Sequence, residues 1–139
     1  GARVVPTPGD ESPVELEART RAAVRAGAHA LVSLHADAAP GEVEPYLDTG
    51  TRSFFLHPHS AALASAVQRG MLRRMGLRDR GLFARDLAVV RATWMPSGLC
   101  EGAVLTLPEH EAALRTPAFQ EAYARGVADG LEAYFRSLR

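Results

Sequence analysis

Gly27-Ala28-His29-Ala30-Leu31-Val32-Ser33-Leu34-His35-Ala36-Asp37-Ala38 is the stretch from which the fold is read. Its centre, Leu31–Leu34, is a short apolar run of strand length that starts soon after a glycine and stops at polar residues. Such a run fits a strand covered on both faces within a parallel sheet. Upstream lies a helical pattern, with Ser12 as N-cap, Pro13 at the first helical position and Glu15 at the third forming a capping box. The helix is expected to reach about Ala26, where Gly27 ends it. Before it, Val4-Val5 is a short β-type run and Pro6–Glu11 a turn. After the central strand, a Pro- and Gly-containing loop from Ala38 to about Gly50 is long enough to serve as a lid or rim.

The alternation continues to the C-terminus. Thr51–Leu56 reads as a strand, and Ser60 can cap a helix whose Leu63, Val67 and Met71 recur at i, i+4 and i+8 before Gly76 stops it. Leu87–Val90 and Gly98–Cys100 read as short strands separated by a turn around Met95-Pro96. Thr106-Leu107-Pro108-Glu109 is a second capping box, opening a helix to about Leu114. Thr116-Pro117 opens the last helix, with Phe119, Tyr123, Val127, Leu131 and Phe135 as an i, i+4 ladder. The order β, α, β, β, α, β, β, α predicts an α/β fold: a mainly parallel twisted sheet flanked by helices, in a single domain. A length of 139 residues agrees with one domain.

Composition narrows the function classes. Apolar residues make up 47% of the chain and charged residues 23%, enough to build a core. Sixteen Arg balance sixteen Asp and Glu, and zero net charge argues against a dedicated nucleic-acid binder. No apolar run approaches the ~18 residues of a membrane span. The chain has no Lys, Ile or Asn, as a GC-rich coding sequence would give, so no single Arg is read as chosen over Lys. Cys100 alone excludes an internal disulfide, and within an apolar strand it reads as a small buried hydrophobe.

In a sheet of this kind ligands gather at the carboxyl ends of strands. Two polar residues sit at such ends: His35 after Leu31–Leu34, and Glu101 after Leu99-Cys100. A neutral imidazole there can bind a metal, and a neighbouring carboxylate can take a proton from a metal-bound water. From spacing alone the commoner reading is a histidine bonded to a loop and a glutamate that caps a helix or pairs with an arginine, since a polar residue at a strand end is an ordinary event. Asp37 either orients His35 or caps the loop, and Trp94 is either core or rim. His57-Pro58-His59 offers two imidazoles by strand period or a solvated turn at a helix start. His29 enters a strand, His110 sits on a helix surface, and Arg69, Arg73, Arg74, Arg78, Arg80 and Arg85 read as a solvated face.

Val4-Val5-Pro6-Thr7, Leu16–Arg19, Gly27–Ala38, Arg80-Gly81-Leu82, Val90-Arg91 and Met95-Pro96 through Glu101 together resemble the zinc-dependent N-acetylmuramoyl-L-alanine amidases of bacterial cell-wall turnover. The S-x-H-A-[ND] and P-x-x-L-x-E strand ends carry most of that resemblance. It implies hydrolysis of the amide between N-acetylmuramic acid and L-alanine of the stem peptide, with peptidoglycan as partner and a periplasmic, cell-envelope or secreted location. It also implies Zn2+ as cofactor, His35 as a metal ligand and Glu101 as the catalytic acid/base. Departures are Val24 in place of Asn, and Ala103-Val104 in place of Gly-Phe.

The family layout begins with a strand whose G-H-G motif gives the first zinc ligand and a helix whose Glu gives the second. Residues 1–139 match from the next strand onward, as an amidase-like catalytic domain N-terminally incomplete relative to the family. Three readings stay open: about fifty further N-terminal residues by the size of a strand–helix–strand unit; a catalytically silent module that binds peptidoglycan or regulates wall turnover; or missing ligands drawn from His57 and His59.

Overall fold

Two glycines with positive φ set the first boundaries. Gly27 (φ 61°) follows the helix α1, Leu16–Arg25, and Gly76 (φ 69°) caps α2, Pro58–Met75, its N–H donating to the Leu72 carbonyl. A side chain at either position would sit in the left-handed region that glycine tolerates best. The computed structural model describes residues 2–7, 15–38, 46, 49–92 and 94–139. Ser12 and Pro13, the expected start of α1, lie outside them, and Glu15 stands at the N-cap. The remaining elements are β1 (Leu31–Asp37), β2 (Thr51–Phe55), β3 (Asp79–Ala84), a 3-10 turn (Ala88–Val90), β4 (Ser97–Val104), α3 (Pro108–Leu114) and α4 (Pro117–Ser137).

The strands form one sheet in the order β1-β4-β2-β3. β1 pairs with β4 and β2 with β3 in parallel, while β2 and β4 run antiparallel. The α/β expectation holds with a mixed sheet, two of whose three pairings are parallel. Several local expectations change. Ser60, expected as a cap, lies inside α2, whose N-cap is His57. Val4 and Val5 join no strand and are exposed. Leu87–Val90 closes into the 3-10 turn, whose Val89 and Val90 fill the core without needing a ladder. Asp79–Ala84 is a strand although its Asp-Arg-Gly start lacks an apolar pattern, because β2 supplies a parallel partner. Thr116 caps α4 as expected, its Oγ accepting the Phe119 N–H at 3.3 Å. α3 starts at Pro108 with Leu107 as N-cap, so the second capping box does not form there.

Alternation along β4 divides the core. Cys100 packs with Leu63, Val67 and Met71 of α2 and Val127 and Tyr134 of α4, on one face. On the other, Leu99 packs with Phe54 and with Val89 and Val90 of the 3-10 turn, while Ala23 of α1 meets Ala92 and Met95. The i, i+4 residues expected to anchor α2 are fully buried. A groove of about 790 Å³ lies between residues 2–7 and β1, floored in part by Val127, Leu131 and Phe135 of α4. β1 is the outermost of the described strands on that side.

α2 and α4 cross at backbone contact. A Cβ on Gly70 would stand 2.1 Å from the Gly126 carbonyl oxygen, one on Gly126 2.7 Å from Met71 Cα, and one on Gly130 2.4 Å from Val67 Cα. The three glycines set the distance between the helices, against their poor helix propensity. Gly126→Ala should therefore lower the melting temperature: the ~1 kcal/mol gain in propensity is outweighed by overpacking of about 1–3 kcal/mol. A circular-dichroism melt checks this, and an unchanged or raised midpoint contradicts the close crossing.

Candidate active site

Parallel pairing brings the carboxyl ends of β1 and β4 together, and the antiparallel turn-over to β2 brings its amino end to the same place. In register, His35 stands opposite Glu101 and Glu101 opposite Arg52, so three polar side chains form a row across three adjacent strands. By strand alternation they share the face of Leu99 and Phe54, away from α2 and α4. The two residues picked from the sequence are thus neighbours, although neither follows its strand as expected: β1 continues past His35 to Asp37 and β4 past Glu101 to Val104.

Two bulges then reshape the row. Between His35 and Asp37 of β1, β4 advances from Glu101 to Val104, one residue more than its partner. Beside the β2 step Thr51 to Arg52, β3 advances from Asp79 to Gly81, which inserts Arg80. The inserted Arg80 reaches inward, its Nη1 donating to Asp37 Oδ2 at 2.7 Å. Arg52 Nη2 donates to the same oxygen at 2.5 Å, and Arg52 Nε donates to Glu101 Oε2. The side chains are poorly exposed: 5% for Arg80, 12% for Asp37, 16% for Glu101 and 24% for Arg52. The Arg52 guanidinium also lies 5.1 Å from the Phe54 ring centre.

Burial alone would raise the Asp37 carboxyl. The Arg80 hydrogen bond and the charges of Arg52 and Arg80 together outweigh it and hold Asp37 below its ordinary value. Asp37 Oδ1 accepts the Ala38 N–H at 2.8 Å, so it does cap the loop. It does not orient His35, whose Nε2 lies 2.8 Å from Ser33 Oγ. Tyr123 of α4 places its hydroxyl 3.0 Å from the carbonyl oxygens of both His35 and Cys100, tying the two strand ends to the helix. Burial pushes the Tyr123 phenol well up, so it stays a donor.

The other candidates lie apart from this row. Cys100 is fully buried and burial pushes its thiol up to about 12, an inert state for a nucleophile. His57 is the N-cap of α2 and His59 lies in its first turn, their rings stacked at 5.5 Å, with His57 Nε2 3.2 Å from the Arg91 carbonyl oxygen. Trp94 is exposed beside Glu17, Arg21 and Arg91, which answers the core-or-rim question against core. His110 is more than a surface residue: its Nδ1 accepts the Val104 N–H at 3.1 Å, and desolvation lowers its pKa. Arg80 leaves the solvated face to which sequence reasoning assigned it. Arg52 was missed, although a charged residue two positions before Phe54 in a strand shares its inward face.

A family model described as N-acetylmuramoyl-L-alanine amidase matches residues 1–133. The chain belongs to the N-acetylmuramoyl-L-alanine amidase family. Among relatives of this amidase-family chain, N-acetylmuramoyl-L-alanine amidase LytC of Bacillus subtilis (strain 168) is 29% identical over 140 residues, covering 98% of the chain and 27% of that protein. An endolysin of Bacillus phage SPP1 is 33% identical over 121 residues, covering 84% of the chain and 44% of the endolysin. The chain therefore spans less than half the length of these two curated relatives. The catalytic domain of CwlV, an amidase from Bacillus (Paenibacillus) polymyxa var. colistinus, superposes with a TM-score of 0.86 at 31% identity, over 96% of this chain and 73% of that one. An amidase from Clostridium difficile 630 gives a TM-score of 0.84 at 28% identity, over 92% and 69%.

The amidase family is generally zinc-dependent. A catalytic zinc takes three protein donors and an open position. Among the described residues no group of three His, Cys, Asp or Glu side chains converges, and both Asp37 and Glu101 are engaged by guanidinium groups. The described residues therefore do not by themselves fit a zinc site. His35, exposed in the C-terminal half of β1, can give one donor.

Asp37→Asn would leave the guanidinium groups of Arg52 and Arg80 without their shared carboxylate. A loss on the order of 3 kcal/mol is expected at pH 7, because Arg80 is nearly buried. The Asp37 carboxyl is lowered on folding, so its contribution is present above its unfolded pKa near ~3.9 and lost as pH falls through the folded value. Urea titrations should therefore show a wide gap between the two proteins at pH 7 that narrows towards pH 3. A constant gap would contradict the ionic origin.

Proposed function

We propose that the protein is a peptidoglycan hydrolase that cleaves the amide between N-acetylmuramic acid and the L-alanine of the stem peptide, with Glu101 as acid/base and His35 as a metal ligand. The observation that carries this reading is the register pairing of His35 with Glu101 at the shared carboxyl end of β1 and β4. Membership of the amidase family supports the bond and the polymer. Relatives named as cell-wall amidases and a phage endolysin support action outside the cytoplasm, in the periplasm, cell envelope or as a secreted protein. No helix among the described residues is long and apolar enough to cross a membrane.

In this reading a water oxygen attacks the lactyl carbonyl carbon while the Glu101 carboxylate accepts the water proton. The carbon–nitrogen bond then breaks, and Glu101 returns the proton to the departing amine of L-alanine. Arg52 Nε donates to that carboxylate, and the Tyr123 hydroxyl holds the carbonyl of Cys100, the residue before Glu101, and that of His35 on the neighbouring strand. The metal we propose is zinc, bound through His35 and donors outside the described residues. The family's earlier strand and helix would be the source of those donors, and the groove along the open side of β1 supports a place for them.

Two variants separate the roles. Glu101→Ala should lower the melting temperature somewhat, since Arg52 loses a partner, yet keep the zinc content of the folded full gene product and lower release of stem peptide from muramoyl peptide, per folded protein, by ~10²–10⁴. His35→Ala should lose zinc and activity together. Mass spectrometry of released peptide, beside a melt and metal analysis, reads both. Peptidoglycan binding by a folded wild-type protein that releases no peptide would favour the silent binding or regulatory module instead, and full turnover by zinc-loaded Glu101→Ala would remove Glu101 from the chemistry.

A further inference from the structure

We propose that Arg52 is a positioning residue for Glu101, setting where its carboxylate stands, with Asp37 and Arg80 as the frame that holds Arg52. The assignment rests on the amidase reading for its kinetic readout and on geometry for its structural one. A glutamate side chain has three rotatable bonds, and the rotamer freedom lost in holding it in one place must be offset by a partner. Arg52 is that partner: its Nε donates to Glu101 Oε2.

The guanidinium is a rigid planar fork, so a group bound at one donor is fixed relative to a group bound at another. Arg52 uses this, with Nε on Glu101 and Nη2 on Asp37 Oδ2. The position of Glu101 is thereby referred to Asp37, two residues beyond its neighbour His35 on β1. Asp37 is itself held by the buried Arg80 and by the Ala38 N–H. The plane of the fork is set from below by the Phe54 ring. Each contact places the next, and the end of the series is the carboxylate beside His35.

An ion pair that merely stabilised the sheet would look similar in a static structure, and so would an arginine that blocks Glu101. The three differ in kinetics. If Arg52 positions Glu101, Arg52→Gln lowers kcat of the full gene product by about 10–100-fold with KM within about threefold, the scale of a misplacement near 1 Å. Arg52→Lys restores charge without the fork and recovers only part of kcat. In a Glu101→Ala background Arg52→Gln costs nothing further, since its effect passes through the missing carboxylate. An undiminished kcat, a raised kcat, or an equal loss in both backgrounds overturns the proposal.

Crystal structures of wild type and Arg52→Gln give a readout independent of turnover. The Glu101 carboxylate is expected to shift by about 1 Å or more, or to spread over rotamers, with the backbone of β4 unmoved. Glu101 in the same place in both overturns the proposal. A wild-type protein that releases no stem peptide fails the amidase reading alone, because the crystallographic comparison still decides what Arg52 does.

Discussion

A single carboxylate oxygen, Asp37 Oδ2, accepts hydrogen bonds from two guanidinium groups. Arg80 can be buried at the edge of the sheet only because that charge is there, since an unpaired guanidinium in a poorly hydrated site is very costly. The two positive groups are balanced by Asp37 and Glu101, so the four side chains together carry no net charge. Such balance allows the face of the sheet beside His35 to be partly closed from water without expelling any one of them. It also gives the bulges a purpose. Without the extra residue in β3, Arg80 would not be turned toward Asp37, and without the one in β4 Asp37 would stand in a different register from Glu101.

The row depends in turn on packing far from it. β1 and β4 are parallel, and parallel neighbours cannot be joined by a tight turn; here nearly half of the chain, β2 and β3 included, intervenes between His35 and Glu101. What holds the two strands in register is the layer beneath, where α2 and α4 meet through Gly70, Gly126 and Gly130 and cover Cys100. The glycines are poor choices for helix propensity and good ones for approach distance. Their presence in the middle of two long helices is explained by the contact and by nothing local.

How much of this could be read from the sequence follows from the range of the interactions. Helix stops at Gly27 and Gly76, the buried positions of α2 and the Thr116 cap depend on neighbours within a few residues, and they were legible. β3 and the 3-10 turn were not, because pairing with β2 and packing on Phe54 override weak local preference. At the site, His35 and Glu101 were legible as polar ends of apolar runs. Arg52 and Arg80 were not: the inward face that Arg52 shares with Phe54 was its only local signal, and in a chain that has arginines and no lysine, residue type marks neither of them. Their roles come from two bulges and an antiparallel crossing, features with no fixed local pattern. Asp37 illustrates the same limit: of its two sequence readings the local one, capping the loop, holds, while its bonds to Arg52 and Arg80 are long-range and had no signal.

Tyr123 joins the two scales. It lies on the ladder of α4 that the sequence identifies as core-facing, yet its hydroxyl ends on the backbone of His35 and Cys100. Room for its ring is made at Gly102, where a Cβ would stand 2.5 Å from the ring edge. Glu101 is thus bracketed along β4 by a residue whose carbonyl is held and a residue that has no side chain, both owing to one tyrosine. A site placed on strands gains precision only when the strands are fixed against something rigid, and here the fixed point is a long helix anchored by glycine contacts elsewhere. The same helix therefore serves the core through its apolar face and the candidate active site through one polar atom, which makes packing of α4 and placement of Glu101 a single structural problem.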